Sequence, residues 1–236
     1  MLDHEFRKQE SLFPQRRRLK TEFRELLGES MFSEFSLKVD RNQRQKRLVL
    51  GAGKGPPLPY MVWSAGQREF VPLLLGLYWL IPPTKVSKRK GIEWVAIEEL
   101  EMGLHPKAIS VIVLLIFELI SRGYKVCIST HSPQVVEAVW ALRILRDSKA
   151  DARALLEIFD ARKSAAMIDL AKKTLNKETK VYFFDRGGGV RDISSLDPSS
   201  EGAAGDGWGG LVEFSARANA AVARAVANAG GEAATP

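Results

Sequence analysis

The chain has 236 residues, 45% of them hydrophobic and 27% charged, with a net charge of +7 and one cysteine, Cys127. That length allows one α/β domain with a sizeable core, and a lone cysteine excludes an internal disulfide and fits a reducing compartment. A charged N-terminus and apolar runs (Phe70 to Pro83, Ile109 to Ile120) shorter than the ~20 residues of a bilayer span argue against a signal peptide and a membrane protein, so a cytoplasmic one is expected.

Residues 1–27 read as a basic helix. Leu19, Phe23, Leu26 and Leu27 fall on one stripe, Arg16-Arg17-Arg18 stand beside it, and Gly28 closes it. The arginines suit a solvated face or, functionally, a phosphate-contacting patch. Phe35, Leu37 and Val39 alternate with polar residues as a half-buried strand, Arg41-Asn42-Gln43 forms a turn, and Leu48 to Leu50 returns, giving a hairpin region over 33–63. Gly51 to Pro57 is glycine-rich, but Gly55 follows Lys54 where a phosphate loop needs Ser or Thr, and two prolines follow, so this is a plain loop.

Ser64 is a natural N-cap for an apolar helix that carries Phe70, Val71, Leu73, Leu74, Leu77, Tyr78 and Leu80 and stops at Pro82-Pro83. Gly66 permits close backbone approach there, and the free N–H groups of the helix start suit a phosphate. After a basic loop, Lys85 to Gly91, the run Trp94 to Ile97 reads as a short buried strand that ends in Glu98 and Glu99, with Glu101 beyond. Adjacent strand residues point to opposite faces, so Glu98 and Glu99 suit two different tasks. A helix containing Ile109, Ile112, Val113, Ile116 and Leu119 follows and closes at Arg122-Gly123, and Lys125 to Thr130 is the next strand, ending at His131. Strand–helix–strand order makes a parallel pair, which brings Glu98, Glu99 and His131 to one sheet edge, where α/β folds bind ligands. His105 reads as structural or interfacial. Helices are expected at Pro133 to Leu145, Ala152 to Phe159 and Ala165 to Leu175, a strand at Lys180 to Phe184, a turn at Gly187 to Gly189, a loose linker at Ser194 to Gly210, and an alanine-rich helix at Leu211 to Ala229.

Three stretches stand in order: SAGQ (Ser64 to Gln67), WVAIEELEMGLHP (Trp94 to Pro106) and ISTHSP (Ile128 to Pro133). This order resembles the C-terminal half of ABC-type ATPases, above all the soluble AAA-family and OLD-like branch related to RecF and the structural-maintenance-of-chromosomes proteins. The resemblance covers roughly Met61 to Val139 and, more loosely, the tail to Arg224. It implies an α/β fold, the parallel βαβ core of a P-loop NTPase lacking the N-terminal P-loop lobe. The domain then covers 1–196 (motif core 64–146, helical and strand extension 147–196), and 197–236 is linker and tail. The implied ligands are ATP and Mg²⁺. Glu98 completes the metal shell, Glu99 orients the attacking water, His131 touches the γ-phosphate, and Ser64, Gly66 and Gln67 form the signature that closes over nucleotide across a dimer. Glu98 replaces the more usual aspartate, and Leu100 stands where the family often has proline.

No G-x-x-x-x-G-K-[ST] occurs, and only 63 residues precede Ser64. The expectation is therefore an ATPase half, weak or inactive alone, whose Walker A comes from a missing segment or a P-loop-bearing partner. DNA repair, DNA maintenance and phage defence are the processes the resemblance suggests. The alternative is a non-catalytic module that binds DNA or protein through Arg16 to Arg24 and Lys85 to Lys90.

Overall fold

Alternating apolar residues build the N-terminal sheet. Strands β1 (Ser11–Phe13), β2 (Phe35–Asn42), β3 (Gln45–Ala52) and β4 (Leu58–Pro59) lie side by side in that order, each antiparallel to its neighbour. β2 and β3 pair without a break from Phe35↔Ala52 to Asn42↔Gln45, which sets Leu37 opposite Leu50 with both fully buried. The computed structural model describes residues 11–13, 19–32, 35–42, 45–52, 55–82, 88–195, 197, 218–219 and 221–222.

Six helices are described: α1 (Thr21–Leu27), α2 (Ala65–Leu80), α3 (Pro106–Ser121), α4 (Pro133–Asp147), α5 (Ala152–Ile158) and α6 (Ala165–Leu175). Between α2 and α4 lie β5 (Trp94–Glu98) and β6 (Lys125–Ser129), a parallel pair joined by α3. A small antiparallel hairpin, β7 (Tyr182–Phe184) and β8 (Val190–Asp192), follows α6, and Gly187 to Gly189 form its turn as expected. The result is a mixed α/β structure with a parallel strand pair. No helix among the described residues is long and apolar enough to cross a membrane.

Helix α3 is the axis of the core. Ala108, Ile109 and every residue from Val111 to Leu119 are buried, and the helix touches α1, α4, α6 and β6. Its single buried charge is compensated: Glu118 accepts from Lys20 Nζ at 2.7 Å and from Arg122 Nε at 2.9 Å. A buried carboxylate is tolerable only when paired in this way. Tyr124 ties the start of β6 to the end of α2 by donating to the Leu80 carbonyl at 2.7 Å, while its hydroxyl accepts from the Arg89 amide at 2.8 Å.

Several expectations are corrected. Among the described residues of 1–27 the helix runs over Thr21–Leu27, and Leu12 and Phe13 are instead taken into the sheet through β1, where Phe13 stacks on Phe32 at 4.2 Å. Gly28 is the C-cap of this α-helix, as expected, yet the chain does not leave the helical region there. Its backbone stays right-handed helical (φ −56°, ψ −51°) and runs into a π-helical turn through Phe32, whose burial draws the chain onward. The run Trp94 to Ile97 is a strand but not a buried one. Only Ile97 is buried, Trp94 is 65% exposed, and Cys127 on β6 is exposed too. Among the described residues the parallel pair has one face on the helices and the other bare. Arg16-Arg17-Arg18, residues 83–87 and most of 196–236 lie outside the described residues; in the tail, 218–219 and 221–222 are helical. Two cations of the basic loop are used within the fold: Arg89 donates to the Trp79 carbonyl and stacks over its ring at 4.8 Å, and Lys88 reaches the Gly123 carbonyl at 3.4 Å.

Ser164 links the start of α6 to α1. Its hydroxyl caps α6 by accepting from the Met167 amide at 3.3 Å and donates to the Glu22 carboxylate on α1. That donated bond, with help from the Glu22 backbone and the charges of Lys20 and Arg162, holds the Glu22 carboxyl below the usual carboxylate range. A depressed carboxyl stabilises the fold fully above its unfolded pKa, and the contribution fades as pH falls through the folded value. Ser164→Ala is therefore expected to cost about 1 kcal/mol or somewhat more at pH 7, the usual cost of a lost cap, and clearly less under acid conditions where Glu22 is protonated. Denaturant midpoints at both pH values read the difference; an equal loss at both would remove Glu22 from the account.

Candidate functional site

The end of β5 delivers the acids. β5 and β6 run in register from Trp94↔Lys125 to Glu98↔Ser129, so both strands finish at one edge. The ladder extends one step further: the Glu99 amide donates to the Ser129 carbonyl at 2.9 Å. At Glu99 the chain then turns through φ +44°. The turn is held by Met102 N–H to the Glu99 carbonyl and Leu104 N–H to the Glu101 carbonyl, each at 3.0 Å, and by Leu100, which is buried.

That positive φ is informative. L-residues avoid the left-handed region, Glu among them. Two other non-glycine residues among those described share it, Lys149 and Asp160. Each lies just past a helix, with a hydrogen bond back into the last turn (Lys149 N–H to Arg146, Asp160 N–H to Glu157) that explains the conformation. Glu99 has no helix to close. It stands at the end of a parallel strand, and strain of this kind collects where a side chain must be aimed.

Glu99 is aimed toward His131. Glu99 Oε1 and His131 Nε2 are 3.8 Å apart, beyond a hydrogen bond and within reach of an ion pair when the imidazole is protonated. Glu98 is exposed at the same edge. Glu101 is not free: its carboxylate accepts from the Thr130 hydroxyl at 2.9 Å and from the His131 amide. The sequence flags Glu101 as a third acid and gives no sign of this bond. His105 is structural, the N-cap of α3, with Nδ1 accepting from the Lys107 amide at 3.3 Å and Pro106 at the first helical position.

The signature stretch is built as a capping box. The Gln67 amide donates to Ser64 Oγ at 3.2 Å, and the Ser64 amide donates to Gln67 Oε1 at 3.1 Å. The Gln67 side-chain oxygen is therefore committed to the cap, whereas its amide N–H groups and the Ser64 hydroxyl keep protons to give. Ser64 and Ala65 are exposed, and the amides that begin a helix have no intrahelical acceptor. Gly66 lies against the turn after Glu99: a Cβ there would stand 2.5 Å from the Gly103 carbonyl oxygen. The two glycine backbones form a seam that joins the start of α2 to the acid loop.

Between these elements opens a cleft of about 390 Å³, lined from α2 by Glu69, Phe70 and Leu73 and from the β5 side by Ile97, Glu98, Glu99, Leu100, Met102 and Leu104. Glu69 joins the acids there, a neighbour the sequence order hides. Three carboxylates around one cleft repel a bare phosphate and attract a cation that carries one. Mg²⁺ suits this donor set, since it binds through one or two carboxylates plus phosphate oxygens and water rather than in an all-protein cage. Among the described residues no group of three or more His, Cys, Asp or Glu side chains is placed to hold a metal ion by itself.

Against known proteins, a family model described as "AAA domain, putative AbiEii toxin, Type IV TA system" matches residues 5–137, more than half of the 236-residue chain and all of the stretch from Ser64 to His131. No curated protein and no solved structure matches.

Proposed function

The chain belongs to this AAA-domain family, a family of ATPase-type nucleotide-binding domains, and from that premise we propose that it supplies the hydrolytic edge of an ATP site. Glu98 holds Mg²⁺ brought in on the phosphates of ATP, Glu99 orients the attacking water, and His131 contacts the γ-phosphate from the side. The observation that carries this reading is Glu99: a left-handed glutamate at the end of a parallel strand, 3.8 Å from a histidine on the neighbouring strand's loop. Phosphoryl transfer asks a protein for positioned charge rather than covalent chemistry, and this edge offers it. The phosphate cradle is supplied by another segment or polypeptide, since the sequence carries no Walker A motif. The family description, a putative toxin of a toxin–antitoxin system, favours defence among the processes considered.

Ser64 acts across an interface in this proposal, its hydroxyl and the α2 amides meeting nucleotide held by a second molecule. The capping box suggests a clean variant. Asp is as good an N-cap as Ser, so Ser64→Asp keeps the helix while setting a negative charge against phosphate. In a reconstituted assembly, Glu99→Gln is expected to accumulate Mg-ATP-dependent dimers because hydrolysis no longer dissolves them, and adding Ser64→Asp to abolish them. Sizing by light scattering with and without Mg-ATP is the measurement. Dimers undiminished in the double variant would rule out the interfacial role of Ser64.

A further inference from the structure

We infer that Glu101 is a positioning residue: its carboxylate latches the loop that carries His131 onto the loop that carries Glu99. What the positioned histidine does rests on the ATPase reading above; the latch rests on geometry alone. Glu101 Oε1 accepts from the His131 amide and Oε2 from the Thr130 hydroxyl at 2.9 Å. Thr130 Oγ1 in turn accepts from the Ser132 amide at 3.0 Å. One carboxylate thus gathers three consecutive residues at the end of β6.

Packing does not hold the histidine, whose side chain is 83% exposed, and its 3.8 Å approach to Glu99 is too long for a hydrogen bond. Ser132, at the N-cap of α4, makes no side-chain capping bond. The imidazole is therefore placed through its backbone, and the backbone is placed by Glu101. Hydrogen bonds from amides and hydroxyls to an ionised carboxylate are shorter and stronger than neutral ones, which suits a latch exposed to water. Glu101 does not line the cleft. Its effect passes through His131, which is why so polar a side chain is turned away from the site its neighbours face.

Two readouts test the latch. In the full chain alone, Glu101→Ala is expected to speed hydrogen exchange of the His131 amide by about tenfold or more, with Ile97 and Ile128 in the paired strands unchanged. Glu101→Gln, which retains one acceptor oxygen, falls between. Unaltered exchange at His131 overturns the inference. So does equal acceleration at Ile97 and Ile128, because Glu101 then holds the fold rather than the loop. In an ATP-hydrolysing assembly, Glu101→Ala should lower kcat as far as His131→Ala does, leave KM within about twofold, and add no further loss to His131→Ala in the double variant. Losses that multiply would show that Glu101 acts independently of the histidine and would overturn the inference. A wild-type assembly without turnover overturns the ATPase reading instead, and the exchange result then decides the latch by itself.

Discussion

Glu99→Gln is expected to lower ATP turnover of the assembled protein by about 10²–10⁴-fold, the range for loss of a positioned general base. The substitution keeps the size and polarity of the side chain and removes the charge that draws a proton from water. The chain without a phosphate cradle should show little turnover to begin with, so phosphate release is measured with the P-loop-bearing partner present. The backbone adds a second arm. Glu99 sits at φ +44°, a conformation that glycine adopts without strain. Glu99→Gly should therefore be as inactive as Glu99→Gln and yet more resistant to denaturation, by about 1 kcal/mol. A glycine variant less stable than the parent would mean that the glutamate is held by contacts rather than strained for its task. Robust turnover by the isolated chain, lost in Glu99→Gln, would show that the phosphates find a cradle within it.

Ile112→Ala should be among the most destabilising single changes, at about 2–5 kcal/mol. Ile112 is fully buried on α3, the helix that touches α1, α4, α6 and β6 at once. With neighbours on every side, none can relax into the gap without leaving another, so the cavity persists. At roughly 2–4 °C per kcal/mol for a chain of this size, the melting temperature should fall by about 4–20 °C. Lys107→Ala, on the exposed first turn of the same helix, should stay within about 0.5 kcal/mol of the parent. Similar losses for the two variants would mean that α3 is not what closes the core.

The sequence made the β5–α3–β6 unit and the shared edge of Glu98, Glu99 and His131 legible, because strand–helix–strand order admits one handedness and parallel pairing fixes which ends meet. It also announced the Ser64 cap and the close approach at Gly66, both local chemistry. What it concealed was tertiary. The stripe of Leu19, Phe23 and Leu26 correctly marks a helix, but no local pattern tells Leu12 and Phe13 to join a sheet whose partner strand lies more than twenty residues on. The run Trp94 to Ile97 reads as buried because β-propensity marks a strand without saying how many layers cover it. The role of Glu101 is hidden because its partners, Thr130 and His131, are remote in sequence and adjacent only once the strands pair.

The exposure of Cys127 has a practical consequence. It is the chain's one cysteine, and it stands on the face of β6 that is bare among the described residues, beside Ala96 and two strand positions from Trp94, over whose ring Lys125 rests at 5.4 Å. A thiol-reactive dye therefore needs no engineered attachment point and can attach at one place only. A dye there shares its face of the sheet with Trp94, and a change in its brightness would report whether anything has come to lie on that face.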